Sequence, residues 1–130
     1  MDIQIPGIDK EKIYEQYEDD IDLYAKVARS FISVTPPALD KLRLLENQMI
    51  EHQNVPAQTL ADYAVCIHSM KGISATIGAE ETRLAALNLE KKAKAGDLSG
   101  VLAENPKFLK QADKLLDDMR TWLEQFDAKK

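Results

Sequence analysis

Near its end the chain runs FLKQADKLLDDMRTWLEQF, with apolar residues at Phe108, Leu109, Ala112, Leu115, Leu116, Met119, Leu123 and Phe126. Steps of three and four gather these residues into one stripe on a helix and scatter them on a strand. A long helix with a single apolar stripe needs other elements to cover it. The rest of the sequence supplies helices for that purpose. From Asp20 to about His52, the residues Leu23, Tyr24, Val27, Phe31, Leu39, Leu42, Leu45 and Met49 recur at the same period, and strand-like alternation is nearly absent.

The five glycines and five prolines fall where helices would start or stop. DKEKIYEQYED predicts a short first helix. Thr35 and Pro36, in TPP at 35–37, form a cap followed by a first-turn proline, which predicts a kink or a break into two helices. NVP at 54–56 reads as a turn, and a helix should follow from about Ala57 to Ile77. Gly78 is placed to end that helix, and Glu80 and Glu81 put acids in the first turn of the next, where the helix dipole favours them. That helix should reach about Ala95, with Gly96 as its terminator. DLSGVLAEN at 97–105 reads as a loop with at most one turn of helix. Asn105 then caps the final helix, Pro106 opens it, and Trp122 joins its core stripe.

Four long helices with short connections predict an all-α fold, an antiparallel four-helix bundle with an additional short N-terminal helix. The 130 residues read as one domain. The bundle core is expected over about 20–127, and 1–19 forms an N-terminal extension. Through residue 24 there are eight Asp and Glu against two Lys, so this segment is expected to be solvated.

With 45% hydrophobic and 30% charged residues, the chain has the composition of a soluble globular domain. A net charge of −5 opposes nucleic-acid binding. No apolar run of about 18 residues is available for a membrane span. The start MDIQIPGIDKEK lacks the basic-then-apolar order of a secretion signal. Cys66 is the single cysteine, which rules out an internal disulfide and fits a reducing, cytoplasmic setting. It is expected to be a small buried hydrophobe that points away from His68, two residues on, so a Cys–His catalytic pair is not expected. The two histidines and one cysteine lack close spacing on one face, so no zinc site is expected. His52, at a helix end, is expected to meet the last carbonyls or solvent.

The stretch CIHSMKGISATIGAEE, residues 66–81, is different in kind. Gly72 sits in mid-helix, where glycine costs about 1 kcal/mol relative to alanine. On a helical wheel Tyr63, Cys66, Ile67, Met70, Ile73, Ser74 and Ile77 gather on the core side. Ser74 is expected to bond back to a carbonyl of its own helix. His68 lies opposite, among Ala61, Val65, Gly72, Ala75 and Thr76, with Lys71 at the edge of that face one turn away. From Tyr63 through Ala79 the only formal charge is Lys71. Solvent-facing helix surfaces are normally charged; this one is smooth and small, as suits a partner that must come close to an imidazole.

IHSMKGISATIGA resembles the signature of histidine-containing phosphotransfer domains, the relay modules of two-component signalling. The matching residues are His68, Lys71, Gly72, Ser74, Ala75, Ile77 and Gly78; Ile73 departs from a position that is more often small. YAKVARSFISVTPPALDKLRLL and LAALNLEKKAKAGD are similar to the flanking helices of that family, so most of the chain is covered.

The resemblance implies that His68 accepts a phosphoryl group from a receiver-domain aspartate and passes it on. An imidazole, with an ordinary pKa near 6.5, suits that role at neutral pH. Lys71 would offset charge on the phosphoryl oxygens, and Gly72, with Ala61, Val65 and Ala75, would admit the partner's loops. The implied partners are response-regulator receiver domains and a hybrid sensor histidine kinase. Mg²⁺ and the acidic pocket would belong to the receiver, so this chain carries no cofactor or metal of its own. Glu90, 22 positions after His68, is expected on the next helix near the imidazole, and Arg83, seven residues earlier, near the phosphate. Ile13, Tyr17 or Ile21 would help dock the partner.

No Gly-rich ATP-binding motif is present, so a phosphocarrier without kinase activity is expected. A monomer is expected. The lack of attached kinase or receiver sequence fits a stand-alone carrier, although a domain cut from a hybrid kinase would read the same. The rival is a helical adaptor that binds through the same face without chemistry. A hydrolase with His68 as general base ranks last, because no acid or nucleophile is visible nearby.

Overall fold

Helices α1 (Lys10–Tyr17), α2 (Ile21–Glu51), α3 (Ala57–Thr76), α4 (Glu80–Lys94) and α5 (Leu98–Ala128) follow one another without a strand among the described residues. The computed structural model describes residues 3–52 and 54–129. Helix α2 lies against α3 and α5, α4 lies against α3 and α5, and α1 packs on α2. No helix among the described residues is long and apolar enough to cross a membrane.

Local chemistry sets the ends of the helices. The carboxylates of Asp9, Asp20 and Asp97 accept from the backbone N–H groups of Lys12, Leu23 and Gly100, capping α1, α2 and α5. Helix α3 stops because Gly78 takes φ +76°, while the N–H of Ala79 returns to the Ser74 carbonyl at 2.9 Å. The close approach of Ile13 also fixes glycine at 78, since an added Cβ would lie 2.7 Å from Ile13 Cγ1.

Two apolar clusters fill the interior. Ile3, Ile13, Tyr24, Phe31, Ile77 and Met119 belong to one; Leu39, Leu42, Tyr63, Met70, Leu89 and Phe108 belong to the other. Half-buried Ile73 packs against both. On α5 the expected stripe is buried from Phe108 to Leu123, Trp122 included, with Phe126 half-buried at its end.

Several expectations are corrected. Of the kink or break expected at Pro36 and Pro37, the break is corrected: helix α2 is one element across both prolines. An interior proline costs about 3 kcal/mol or more. Phe31, Thr35 and Leu39 are buried on either side of the pair, and each large apolar side chain so buried contributes about 1.5–3 kcal/mol. Ser33, whose carbonyl loses its helical donor to Pro37, lies at the exposed surface where water can serve it.

Residues 98–105 are helix, not loop. Asp97 is the cap of α5, and buried Val101 extends the apolar stripe toward it. Asn105 is therefore no cap. It is fully buried inside α5, accepting from the Tyr63 hydroxyl at 2.6 Å and donating to Glu46 at 3.2 Å.

The N-terminal extension is not a solvated segment. Glu11, Glu15, Glu18 and Asp19 are exposed, but Ile3, Ile5, Ile13 and Tyr17 are buried in the first cluster. The Tyr17 hydroxyl donates to the Thr76 carbonyl at 2.5 Å, and Tyr24 donates to that of Ile77 at 2.8 Å. Two carbonyls left open at the end of α3 are satisfied in this way. Ile13 and Tyr17 are thus core residues, unavailable for docking, and Ile21 is half-buried.

Ser74 faces the core as expected but makes no bond back to its helix; its hydroxyl is buried without a partner among the described residues. Thr76 and Ser69 make such bonds instead, to the carbonyls of Gly72 and Val65.

Candidate functional site

The three-residue connection 77–79 folds α4 back along α3, so residues about 20 apart in sequence face each other. His68 and Lys71 on α3 thereby meet Glu90 on α4. The Glu90 side chain is only 4% exposed. Its Oε1 accepts from Lys71 Nζ at 2.7 Å, and its Oε2 contacts His68 Nδ1 at 2.5 Å and Lys94 Nζ at 3.3 Å. The hydrogen bond from Lys71 holds this carboxyl down to about 2; burial opposes that, and the contacts from His68 and Lys94 add to it. Glu90 is therefore ionised across the physiological range.

An ionised carboxylate can only accept, so Nδ1 of His68 carries the proton that bridges to it. In the neutral ring the lone pair then resides on Nε2, on the other side of the imidazole. The His68 side chain is 63% exposed despite its inward bond. A buried carboxylate orients the ring, and solvent reaches the rest of it. Lys71 is half-buried beside it and Lys94 is largely exposed.

The surrounding face is open. Ala61, Val65, Gly72, Ala75 and Thr76 are all exposed. A Cβ built on Gly72 meets nothing within 4 Å, so no packing inside the chain calls for glycine there. Toward the end of α3, Val27, Phe31, Val34, Ile73 and Thr76 line a shallow apolar groove shared with α2.

Arg83 is held elsewhere. Its guanidinium makes two bonds to the Glu80 carboxylate, at 2.9 and 2.5 Å, and Glu80 also pairs with Lys12 of α1 at 2.9 Å. The Arg83 bonds chiefly bring the Glu80 carboxyl down to about 2. Arg83 thus pairs within α4, and it is Glu80, through Lys12, that ties α4 to α1. Lys94 was absent from the sequence expectations, although its place one turn after Glu90 on a helix was the available signal.

The remaining candidates lie apart from the site. Cys66 is buried with Sγ 3.6 Å from the Ala38 carbonyl, and burial pushes its thiol up. His52 is exposed at the end of α2. A surface recess lined by Gln4, Ile21, Asp22, Trp122, Gln125, Phe126 and Lys129 includes no histidine or cysteine. Among the described residues no three His, Cys, Asp or Glu side chains are grouped to hold a metal ion. Compared with protein-family models, curated proteins and solved structures, the chain finds no match.

Proposed function

We propose that the chain is a cytoplasmic histidine phosphotransfer protein, an antiparallel four-helix bundle with α1 packed on it, carrying a phosphoryl group on His68. The observation that supports this best is an exposed imidazole whose Nδ1 is fixed by a buried carboxylate, with an ammonium on the other oxygen of that carboxylate. Such a ring offers Nε2 as a nucleophile in one orientation. Lys71 and Lys94 lie near enough to balance a dianion added to the ring. The sequence carries no Gly-rich ATP-binding motif, so in this reading the group arrives on a partner protein.

The partners proposed are receiver domains of response regulators and of a hybrid sensor histidine kinase, which would bring their own Mg²⁺ and acidic pocket. The smooth face around Gly72 gives them access, and the groove at Val34 and Ile73 offers apolar surface for docking in place of Ile13 and Tyr17.

Incubation with a phosphorylated receiver domain and Mg²⁺ tests the proposal. The chain should acquire an acid-labile, alkali-stable label that His68→Gln abolishes and that Lys71→Ala acquires more slowly while remaining folded. A chain that binds the receiver and takes no label is an adaptor, and the proposal is then wrong.

A further inference from the structure

We infer that residues 3–17 form a detachable strap across the α3–α4 connection, one that holds the end of α3 in place when seated and can lift while the rest of the bundle stays folded. Its effect on transfer rests on the phosphocarrier reading; the strap itself does not.

The seat is specific. The successive carbonyls of Thr76, Ile77 and Gly78 accept from the Tyr17 hydroxyl at 2.5 Å, the Tyr24 hydroxyl at 2.8 Å and the Asp9 N–H at 2.9 Å. Tyr17 and Asp9 belong to the strap, and Tyr24 belongs to α2. Ile13 packs on Gly78, and Lys12 pairs with Glu80 at 2.9 Å. The strap thus grips the last residue of α3, the connection and the first residue of α4.

What the strap supports is the weakest turn of α3. Beyond Gly72 only four residues of that helix remain, and glycine disfavours the helix there. The Thr76 hydroxyl returns to the Gly72 carbonyl at 2.9 Å, and Tyr17 in turn holds the carbonyl of Thr76. Lys71 and His68 lie just before this turn. Thr76 and Ile77 also line the apolar groove beside Val34 and Ile73, so the strap fixes one lip of that groove.

The hinge opposes the seat. Glu18 and Asp19, which join α1 to α2, take φ +49° and +61°, and they are the two non-glycine residues with positive φ among those described. A side chain is strained in that conformation, and glycine normally fills such a position after a helix. Helix α1 has eight residues, too few to persist once lifted. The burial of Ile3, Ile5, Ile13 and Tyr17 and the bonds above must therefore order the whole segment against a strained hinge. Segments of this kind open below the free energy of global unfolding. The second apolar cluster, between Leu39 and Ala112, contains no strap residue and does not depend on it.

Amide hydrogen exchange of the full chain across a urea series tests the strap. The amides of Asp9 and Ile13 should exchange through an opening that urea barely promotes. That opening should be at least about tenfold more frequent than the one exposing Leu109 and Ala112, which should follow global unfolding. Glu18→Gly, which relieves the hinge, should make the strap open about fivefold less often. Tyr17→Phe, which strands the Thr76 carbonyl, should make it open about fivefold more often.

Ile13→Asp puts a carboxylate into the apolar seat and should lift the strap outright. Asp9 should then lose its protection while Leu109 and Ala112 stay protected. The ring ¹⁵N resonances of His68 should move toward those of free histidine, and uptake from a phosphorylated receiver domain with Mg²⁺ should fall at least about fivefold. Strap amides that exchange only with global unfolding overturn the inference, as do openings unmoved in Glu18→Gly and Tyr17→Phe. It is also overturned by an Ile13→Asp chain that unfolds altogether, or by one whose strap lifts with His68 unchanged. A wild-type chain that takes no label from phosphoramidate or from a phosphorylated receiver sinks the phosphocarrier reading and leaves the exchange result standing.

Discussion

Gly72→Ala separates what the fold needs from what a partner needs. Glycine within a helix is about 0.8–1.0 kcal/mol less favourable than alanine. Nothing offsets that cost inside this chain, because the added Cβ would meet no atom within 4 Å and Gly72 is not among the glycines with positive φ. The variant should therefore be more stable by about 1 kcal/mol. With an unfolding entropy of about 2.1 cal/mol/K per residue, a chain of 130 residues should melt about 3–4 °C higher.

The same methyl group lies one turn from His68, on the face that the proposed function assigns to an approaching receiver domain. Misplacing reacting groups by about 1 Å can slow a reaction about 100-fold. Uptake from phosphoramidate, which needs no docked protein, should stay at the wild-type rate, and uptake from a phosphorylated receiver should fall at least about tenfold. Urea and thermal unfolding give the first quantity; paired labelling time courses give the second. A variant no more stable than wild type would show that Gly72 serves the fold after all. A more stable variant with undiminished receiver uptake would show that the open face is not where the partner sits.

Three further outcomes are expected. Gly78→Ala must hold a side chain at φ +76° and press on Ile13, so it should cost about 2–4 kcal/mol in urea unfolding; a loss under about 1 kcal/mol would mean that α1 moves aside freely. The Glu90 carboxyl is held at about 2 in the folded chain against an ordinary 4.5, so its stabilisation is full above pH 4.5 and is lost as pH falls toward 2. At most about 3 kcal/mol is involved, and Glu90→Gln should lose less over that range; an equal acid loss would refute the assignment. Arg83→Ala breaks a partly exposed pair with Glu80 and should leave the urea midpoint nearly unchanged without altering phosphoramidate uptake. A tenfold drop in that uptake would put Arg83 back at the histidine.

What was legible in the sequence follows from what periodicity encodes. The core face of α3 and the outward direction of His68 are properties of one helix, and spacing alone specifies them. The connection at Gly78 was legible because a left-handed residue between two helical patterns has few alternatives to glycine. The prolines misled for a physical reason. Local chemistry at Thr35–Pro36 and at Asn105–Pro106 favours a helix start, but apolar burial continues across both pairs, and tertiary packing outweighs the lost backbone bonds. The N-terminal segment misled in the opposite sense, since its many acids obscured the few isoleucines and tyrosines that close one end of the core.

Lys94 shows where single-helix reasoning stops. An i, i+4 pair on an exposed helix is worth a few tenths of a kcal/mol and has no function by default. Its meaning changes because Glu90 is buried by the neighbouring helix, which no pattern within α4 reveals. A buried carboxylate must be paired or it is strongly destabilising. Here the pairing comes from two sides, His68 and Lys71 on α3 and Lys94 on α4. The contact that orients the imidazole is thus also one that holds the two helices in register. Orientation of an exposed nucleophile usually conflicts with its exposure. A side chain anchored through one ring nitrogen to a buried charge, and open at the other, meets both demands at once.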